Sequence, residues 1–401
     1  MNASSSYQPQ LLSVAPMMDW TDIHYRQLAR LISKHTWLYT EMVVDNALIH
    51  NPNRDRWLWY PPEQHPIVCQ LGGSNPALLA KAAKIVAEYG YDEINLNCGL
   101  GVDDADSYEE LCNFIATVSS QSSVSHFILH ARKCLLSGLS PAENRTIPPL
   151  RWGWVYALSR DFPHLHFSLN GGVELCRTAQ SAIEHAPPNA GRIHGVMIGR
   201  GAYNMPWPSL GSADHTIFGM PAEVAPTRRQ VLEKYIGYAE SVIGRFGTKS
   251  DGSPVPTMRS TVKPLLALFH GEKGCKAWKR SLDASMLAGG MDVAAVIQSA
   301  MRAVPDEVLD APPCPPSSLP IAFATGELPP PVSLQDNGVC SSACTTLSLS
   351  LQLSGPRLGA AKQQAGNAWE HMSMRAQIIA RVGEQREVGV LRFWSWQHFF
   401  L

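Results

Sequence analysis

Seven short apolar runs alternate with helical stretches in the first half of the chain, and this alternation constrains the fold more than any other feature. The runs lie at 13–15, 37–41, 67–70, 94–97, 127–130, 167–170 and 196–199. Strands that alternate with helices form a parallel sheet. Each run ends at or close to a polar residue or a glycine, so the polar side chains share one edge of that sheet. Because a (β/α)8 barrel carries its functional site at this edge, the sequence predicts an α/β fold with a TIM-type (β/α) barrel.

The stretch between the fourth and fifth runs is too short for a complete barrel. The fourth run ends at Asn97, and an acidic turn at 103–106 leads directly into a predicted helix at 107–119. An eight-stranded barrel needs a further strand in this place. We therefore expect the barrel to lack about one β/α unit, with the interruption at 99/100. The strands on either side must then pair with each other or leave their edges open.

The pattern changes after the barrel. Apolar residues recur at helical spacing over 228–246, 258–269, 276–287 and 291–304. The predicted organisation is an N-terminal extension (1–11), the barrel (12–222), a small all-helical domain (223–305) and a tail (306–401). The tail is rich in Pro, Ser and Leu and poor in charge, so we expect it to be of low complexity and mostly disordered. One helix is predicted within it, at 371–384.

Composition excludes several classes of protein. The 401 residues are 45% hydrophobic with a formal net charge of −1, and no apolar stretch reaches the roughly 18 residues that predict a membrane span. The nearly neutral charge argues against a protein that coats nucleic acid, although a basic patch on one domain would not change the total. The nine cysteines are not spaced as metal ligands, so we expect no metal. We predict a cytoplasmic monomer, with an organellar transit peptide as a weakly supported alternative.

Two consecutive loops at the predicted edge carry glycines. Asn170-Gly171-Gly172 follows the sixth run, and Gly199-Arg200 follows the seventh. Glycines leave backbone amides unobstructed, and the last two loops of a β/α barrel commonly hold a phosphate in this way. Two ordinary glycine turns would leave the same pattern, and spacing alone does not separate the two interpretations.

Other residues at this edge are suited to a flat, anionic ligand. Gln70 ends a run and can hydrogen-bond the edge of a flavin ring, and Pro16 and Met17 can lie along it. Each signal is weak alone, since a buried Met is usually part of the core. His130 is in isolation more often structural, but the glycine loops on the next two strands favour a role in stabilising negative charge.

Basic residues near this edge and in the helical segment are candidates for contact with a polyanion. Solvated surface charge is an equally good interpretation of any one of them. The candidates are Arg132, Lys133, Arg145, Lys263, Lys276, Lys279 and Arg280.

Together the motifs resemble the A-type tRNA-dihydrouridine synthases, over about Leu12 to Val304. They are VAPMMDWTD (14–22), YTEM (39–42), CQLGG (69–73), NLNCG (95–99), HARK (130–133), ENRTIPPL (143–150), NGG (170–172) and VMIGR (196–200). The resemblance implies an FMN-binding TIM barrel followed by a helical RNA-binding domain. It also implies hydride transfer from NADPH through FMN to C6 of a uridine in the tRNA D-loop, with a cysteine that protonates C5.

The resemblance assigns roles residue by residue. It implies flavin contacts at Pro16, Met17, Met18, Gln70, His130, Asn170, Gly171, Gly172, Gly199 and Arg200. It implies that Asn97 contacts the substrate base, which must be flipped out of the folded tRNA to reach a buried flavin. It implies tRNA contacts at Lys133, Arg145 and Lys263, where Lys263 replaces a usual arginine and so loses bidentate binding.

The chain departs from the family where the fourth run ends. The family continues Asn-Cys-Gly with Cys-Pro-Ser, a glycine-rich loop, a helix and a strand. Here Cys98 matches the first cysteine, and Leu100 stands in place of the proton-donating second one. We therefore expect no intact catalytic residue, with Cys98 a doubtful substitute.

Two alternatives stay open beside the flavoenzyme. One is a catalytically impaired tRNA-binding isoform, or an incorrect gene model, without the proton donor. The other is an FMN barrel that acts on a small molecule such as dihydroorotate; the helical domain and the 143–150 motif argue against it.

Overall fold

In the part of the chain that the computed structural model describes, eight strands form one sheet. The described residues are 9–98, 107–132, 139–140, 143, 146–288, 292–313, 328–332 and, for the backbone, 375–381. The strands are β1 (Leu12–Val14), β2 (Leu38–Val44), β3 (Ile67–Gly72), β4 (Glu93–Cys98), β5 (His126–His130), β6 (His166–Asn170), β7 (Gly195–Ile198) and β8 (Arg375–Arg381). They are ordered β1-β7-β6-β5-β8-β4-β3-β2. The end strands also meet, because Val14 N donates to Trp37 O at 2.9 Å and Trp37 N donates to Leu12 O at 3.0 Å.

Helices alternate with the first seven strands, as the sequence predicts. They are α1 (Ile23–Ile32), α2 (Asp45–His50), α3 (Asp55–Leu58), α4 (Pro76–Glu88), α5 (Tyr108–Gln121), α6 (Trp152–Asp161), α7 (Cys176–Glu184), α8 (Arg200–Asn204), α9 (Pro206–Leu210) and α10 (Ala213–Thr216). Local capping places several of their starts. Asp22 accepts from the His24 and Tyr25 amides before α1, and Ser107 accepts from the Glu110 amide before α5. The predicted α/β barrel architecture is confirmed.

The sheet is packed on both faces. A small cluster lies on its inner face and consists of Ala15, Trp37, Tyr39, Val68, Ile128 and Met197. A much larger cluster lies between its outer face and the surrounding helices, and includes Ile94, Leu96, Phe127 and Leu129. Because side chains alternate along a strand, every other residue of β4 and β5 belongs to this outer core.

The place of the missing unit is occupied by β8, which comes from the tail. β8 runs antiparallel to both β4 and β5, whereas the first seven strands pair only in parallel. The predicted helix at 371–384 is wrong for residues 375–381. β4 and β5 each offer an unpaired edge, and two ladders of backbone hydrogen bonds outweigh the local helix preference of this segment. Residues 314–327, 333–374 and 382–401 of the predicted tail lie outside the described part.

The helical domain packs directly on the barrel. It contains α11 (Arg228–Val242), α12 (Met258–Val262), α13 (Cys275–Ala288), α14 (Val293–Met301) and α15 (Asp306–Leu309), so it continues past the predicted boundary at 305. His24 Nδ1 of α1 lies 2.8 Å from the Tyr238 hydroxyl of α11. The Arg228 guanidinium stacks over the Trp207 ring at 4.5 Å. None of the described helices is long and apolar enough to cross a bilayer.

A buried cation fixes the loops beneath the first strands. Arg30 donates to the carbonyl oxygens of Ser33 (2.9 Å), Thr36 (2.8 Å), Gln64 (3.2 Å) and Pro66 (3.0 Å). Burial lowers the pKa of Arg30 to about 9, and the carbonyl groups offset part of the cost of desolvating the charge. The result is one rigid connection from α1 to the segments that precede β2 and β3.

Imidazole rings meet at the amino ends of β5, β6 and β7. The rings of His166 and His194 are 4.5 Å apart, and those of His126 and His194 are 5.0 Å apart. Burial, followed by the neighbouring imidazoles, lowers the pKa of His126 well below its ordinary value, and burial lowers that of His194 to about 4. Within the described ranges, no group of His, Cys, Asp and Glu side chains is arranged to hold a metal ion.

We predict that this histidine cluster makes the protein less stable in mild acid. The unfolded chain takes up protons near the ordinary His pKa of about 6.5, whereas folded His194 stays neutral until about pH 4. Stability is therefore fully present above pH 6.5 and falls as the pH drops through this window, by about 1–3 kcal/mol for His194. Urea midpoints at pH 7.5 and 5.0 measure the loss.

His194→Asn should reduce this acid sensitivity, because the variant has no imidazole to protonate. The control is His164→Asn, since His164 is exposed on the surface. An equal loss of stability between pH 7.5 and 5.0 in wild type and His194→Asn would contradict the assignment.

Candidate active site

The parallel strands end at one side of the barrel, here called the rim. It comprises the carboxyl ends of β1 to β7 and the loops that follow them. Most of the sequence-predicted site residues belong to it: Pro16, Met17, Met18, Gln70, Asn97, His130, Asn170, Gly171, Gly172, Gly199 and Arg200. Lys133 and Arg145 lie outside the described residues.

The glycine turn after β6 packs against His130. Gly171 and Gly172 have φ angles of 98° and 78°, in the left-handed region that favours glycine. A Cβ on Gly171 would lie 3.1 Å from His130 Cε1. The Ala131 amide donates to Asn170 O at 2.7 Å, which fixes the start of the turn beside the end of β5. The structure therefore brings His130 and the first predicted loop together.

The second glycine loop lies against the first strand. A Cβ on Gly199 would contact Ala15 Cβ and Met17 Sδ at 3.7 Å each. Pro16 and Met17 are half-buried, whereas Met18 is 57% exposed. The loop after β1 thus presents Met17 to the rim interior and Met18 to solvent.

Gln70 belongs to a buried amide pair on the inner face of the sheet. Its Nε2 donates to Asn95 Oδ1 at 2.6 Å, and its backbone amide donates to the Thr40 hydroxyl at 3.0 Å. Gln70 is 2% exposed and Asn95 fully buried. Asn95 is missing from the sequence-predicted site. Its signal was the alternation of polar residues at 93, 95 and 97 in an otherwise apolar strand.

Positive charge concentrates beside the glycine turns. Arg132 donates to Thr146 O at 3.0 Å and also to Pro148 O. Burial, followed by the positive charge of Arg200, lowers the pKa of Arg132. Arg132 and Arg200 therefore lie close enough to repel each other, and an anion at this side of the rim would relieve that repulsion. An anion near these two arginines would also lie beside the open backbone of the glycine turns, and such an environment is suited to a phosphate.

Asn97 and Cys98, the last two residues of β4, lie on opposite faces of the strand. Asn97 is exposed, and its Nδ2 lies 3.3 Å from Met42 Sδ. Cys98 packs against the outer hydrophobic cluster, on the opposite face of the strand. Burial raises the pKa of the Cys98 thiol to about 12. Cys98 thus keeps its proton at neutral pH but faces the helices, while Asn97 faces the rim.

Lys263 connects the helical domain to the loop after β1. Its ammonium donates to Asp19 O at 3.1 Å, and the Asp19 amide donates to Glu41 Oε1 at 2.5 Å. Burial raises the pKa of Glu41. Lys263 is exposed, so the structure places this predicted RNA contact at the mouth of the rim and also gives it a local partner.

A basic cavity opens on the helical domain. Its volume is about 670 Å³. It is lined by His270, Glu272, Cys275, Lys276, Lys279 and Arg280 among others. The last three of these are exposed and cationic, so the cavity is suited to the backbone of an anionic polymer.

Comparison with known proteins assigns these features to one family. The family model for dihydrouridine synthase (Dus) matches in two segments, 13–99 and 100–303, which adjoin in this chain. The tRNA-dihydrouridine(20/20a) synthase of Shigella flexneri is 39% identical over 337 residues, covering 74% of this chain and 93% of that protein. The protein of the same name from Escherichia coli K12 is also 39% identical, with 74% and 92% covered.

The alignment with the Shigella flexneri protein contains gaps in this chain. It extends over 337 positions, whereas 74% of 401 residues is about 297, so about 40 aligned positions are gaps in this chain. Among solved structures, an N-acetylneuraminate lyase from Fusobacterium nucleatum matches with 11% identity and a TM-score of 0.28, covering 74% of this chain and 97% of that one. That similarity is too low to inform the site.

We predict that Cys98 alkylates slowly at neutral and mildly basic pH. Only the thiolate reacts quickly, and a thiol with a pKa of about 12 is almost entirely protonated at pH 8. Iodoacetamide labelling of the native protein from pH 7.5 to 9.5, followed by peptide mass spectrometry, reports each thiol separately. Cys275, which is also half-buried, is the internal comparison. A labelling rate of Cys98 that levels off between pH 7.5 and 9.5, instead of rising about tenfold per pH unit as the thiolate fraction rises, would show that the Cys98 thiol is not held in its protonated form.

Proposed function

The chain belongs to the dihydrouridine synthase family, and from that premise we propose that it binds FMN at the rim and reduces a D-loop uridine of tRNA to 5,6-dihydrouridine, with NADPH as the hydride source. The observation that carries this proposal is the convergence of two glycine turns, His130 and the mutually repelling Arg132 and Arg200 at one side of the rim. An open glycine backbone and positive charge are suited to an anionic group such as the phosphate of a cofactor.

The residues present are suited to FMN. A Cβ on Gly171 would lie 3.1 Å from the His130 ring, so the backbone beside it has no room for a larger residue. Arg132 and Arg200 supply positive charge for a phosphate, and the Gln70–Asn95 amide pair lies on the inner face for hydrogen bonding. When bound, FMN supplies the hydride-transfer chemistry. The chain's own groups bind it, orient it and balance its charge.

The substrate side of the proposal uses Asn97 and the helical domain. Asn97 is the penultimate residue of β4 and faces the rim, where it can hydrogen-bond a uracil edge. A base in folded tRNA must leave its stack to arrive there, and the phosphate backbone needs a basic surface outside the rim. The cavity with Lys276, Lys279 and Arg280 supplies such a surface, and Lys263 adds an exposed cation beside the loop after β1. The exposed cations of the helical domain favour tRNA over a small-molecule substrate, because a polyanion can contact a basic surface outside the rim.

One observation favours a second candidate, a tRNA-binding protein without reductase activity. The family match breaks between residues 99 and 100, and Cys98 packs on the outer core. Its thiol therefore does not face a base at Asn97. A misplacement of even about 1 Å can cost a hundredfold in rate. Binding of FMN and tRNA would survive this loss, whereas protonation of the uracil ring would not.

Purified full-length protein separates the two candidates. We expect a flavin absorbance spectrum, and NADPH-dependent formation of dihydrouridine in an unmodified tRNA transcript, measured by nucleoside mass spectrometry. Cys98→Ala should keep this activity, because the thiol faces away from the rim. Binding of tRNA without product would establish the second candidate, and absence of both flavin and tRNA binding would contradict both.

Gly171→Ala should weaken FMN binding by at least about tenfold. The new Cβ would lie 3.1 Å from His130 Cε1 at a φ of 98°, so either the ring or the turn must move. Titration of FMN, followed by quenching of its fluorescence, measures the affinity. The matched control is Gly219→Ala, where φ is also positive at 70° but no atom lies within 4 Å. The control carries the backbone strain of about 1 kcal/mol without the clash. Unchanged FMN affinity in Gly171→Ala would show that this turn does not border the flavin.

A further inference from the structure

We propose that Trp20 and Tyr203 form a stacking platform at the mouth of the rim for a second tRNA base, the neighbour of the flipped uridine. This inference rests on the proposed tRNA substrate and adds a contact to it. The ligand class is a flat, unpaired nucleobase that lies against an aromatic ring.

The platform joins two loops of the rim. Trp20 lies in the loop after β1, and Tyr203 lies in α8, which begins directly after Gly199. The two ring centroids are 4.6 Å apart, and the ring planes are 22° from parallel. Because β1 and β7 are neighbours in the sheet, the stacked pair lies at the same side of the rim as the contact between Met17 and the Gly199 loop.

The loop that carries Trp20 is held in one conformation. The Trp20 and Thr21 amides both donate to Met17 O, at 3.1 and 2.9 Å, and the Met17 amide donates to the Thr21 hydroxyl at 2.8 Å. Tyr203 packs in turn against Tyr25, with 5.3 Å between the ring centroids. A ring that is already fixed in the free protein loses little conformational entropy when a ligand stacks on it.

Part of this apolar surface stays exposed. Trp20 and Tyr203 are half-buried, whereas Tyr25, which packs on Tyr203, is 1% exposed. Met18, two residues before Trp20, is 57% exposed. An apolar surface left open at the mouth of a site marks a place of contact. Aromatic rings in such a place are suited to unpaired RNA bases, which stack on them without regard to base identity.

An exposed cation of the helical domain lies at the same loop. The Lys263 ammonium donates to the carbonyl oxygen of Asp19, the residue before Trp20. The turn at Lys263–Ala267 also lies next to α8, which carries Tyr203. Positive charge beside a stacking ring is the combination that binds single-stranded nucleic acid. Because this charge belongs to the domain with the basic cavity, it favours a tRNA base over the adenine of NADPH.

The platform offsets a cost of presenting the uridine. When a base leaves the stack, its neighbour loses a stacking partner, and the unstacking costs free energy. An aromatic surface beside the rim replaces that partner. The contact therefore stabilises the tRNA conformation in which the uridine is available to the flavin.

Affinity for an unmodified tRNA transcript, measured by fluorescence anisotropy with the purified full-length protein, tests the contact. Trp20→Ala should weaken tRNA binding by about tenfold or more, as expected for the loss of one base–aromatic stack. Trp20→Phe should weaken it by less, because an aromatic face remains. The matched control is Trp154→Ala, which removes a half-buried tryptophan from α6 and should bind tRNA as wild type does. Equal tRNA affinity in wild type and Trp20→Ala would overturn the platform.

Abasic tRNAs separate stacking from a displaced loop. With one D-loop nucleotide at a time made abasic, one position beside the target uridine should cost wild type about as much affinity as Trp20→Ala does. Trp20→Ala should bind that abasic tRNA as tightly as intact tRNA, because the contact is already lost. Equal fold-losses in wild type and Trp20→Ala at every position would overturn the inference, since Trp20 would then act only by holding Tyr203 in place.

Two further outcomes identify what has failed. If Trp20→Ala binds tRNA as wild type does but needs more NADPH to reduce its flavin, the ring receives the adenine of the dinucleotide and the platform is overturned. If wild type binds no tRNA, the proposed substrate and the platform fail together. Tight tRNA binding by wild type with additive losses overturns the platform alone.

Discussion

The rest of the structure depends on the pairing of two strand edges that the lost unit leaves behind. β4 carries Asn95 and Asn97 on one side of the gap, and β5 carries His130 on the other. With β8 between them, these strands are two strand spacings apart, about 10 Å. Direct pairing of β4 with β5 would halve that distance and shrink the rim. The interposed strand therefore determines the width of the site as well as the integrity of the barrel.

The sequence predicts those parts of the fold that depend on patterns of neighbouring residues. Seven runs with polar ends predict the parallel strands and the rim, and the glycines at 171 and 199 predict the turns that meet His130 and Met17. The alternation of 93, 95 and 97 would also have identified Asn95. β8 could not be predicted in this way. Its residues carry no strong strand signal, and its conformation is selected by two edges more than two hundred residues away in the chain.

Lys263 has both a predicted RNA contact and a hydrogen-bond partner within the protein. The resemblance assigns it to RNA, and the structure places its ammonium on the Asp19 carbonyl beside the Met17–Met18 segment. An ammonium has three donors, and Asp19 uses one of them, so both roles are compatible. Through this hydrogen bond, Lys263 of the helical domain holds the loop that lies along the proposed flavin site. The contact between His24 and Tyr238 also joins α1 to α11, so the helical domain is attached to the barrel at two places close to the start of α1.

Binding and proton transfer are separable in this chain because they depend on different strands. The glycine turns, Arg132 and Arg200 belong to the β5–β7 side, which matches the family without a break. The family resemblance assigns the proton donor to a segment after β4, and the remaining Cys98 packs on the outer core, where burial raises the pKa of its thiol to about 12. Because side chains alternate along a strand, Asn97 and Cys98 do not both face the rim, and a rotation of β4 that turned Cys98 to the rim would turn Asn97 away from it. If the chain reduces uridine, its proton comes from a group other than this thiol.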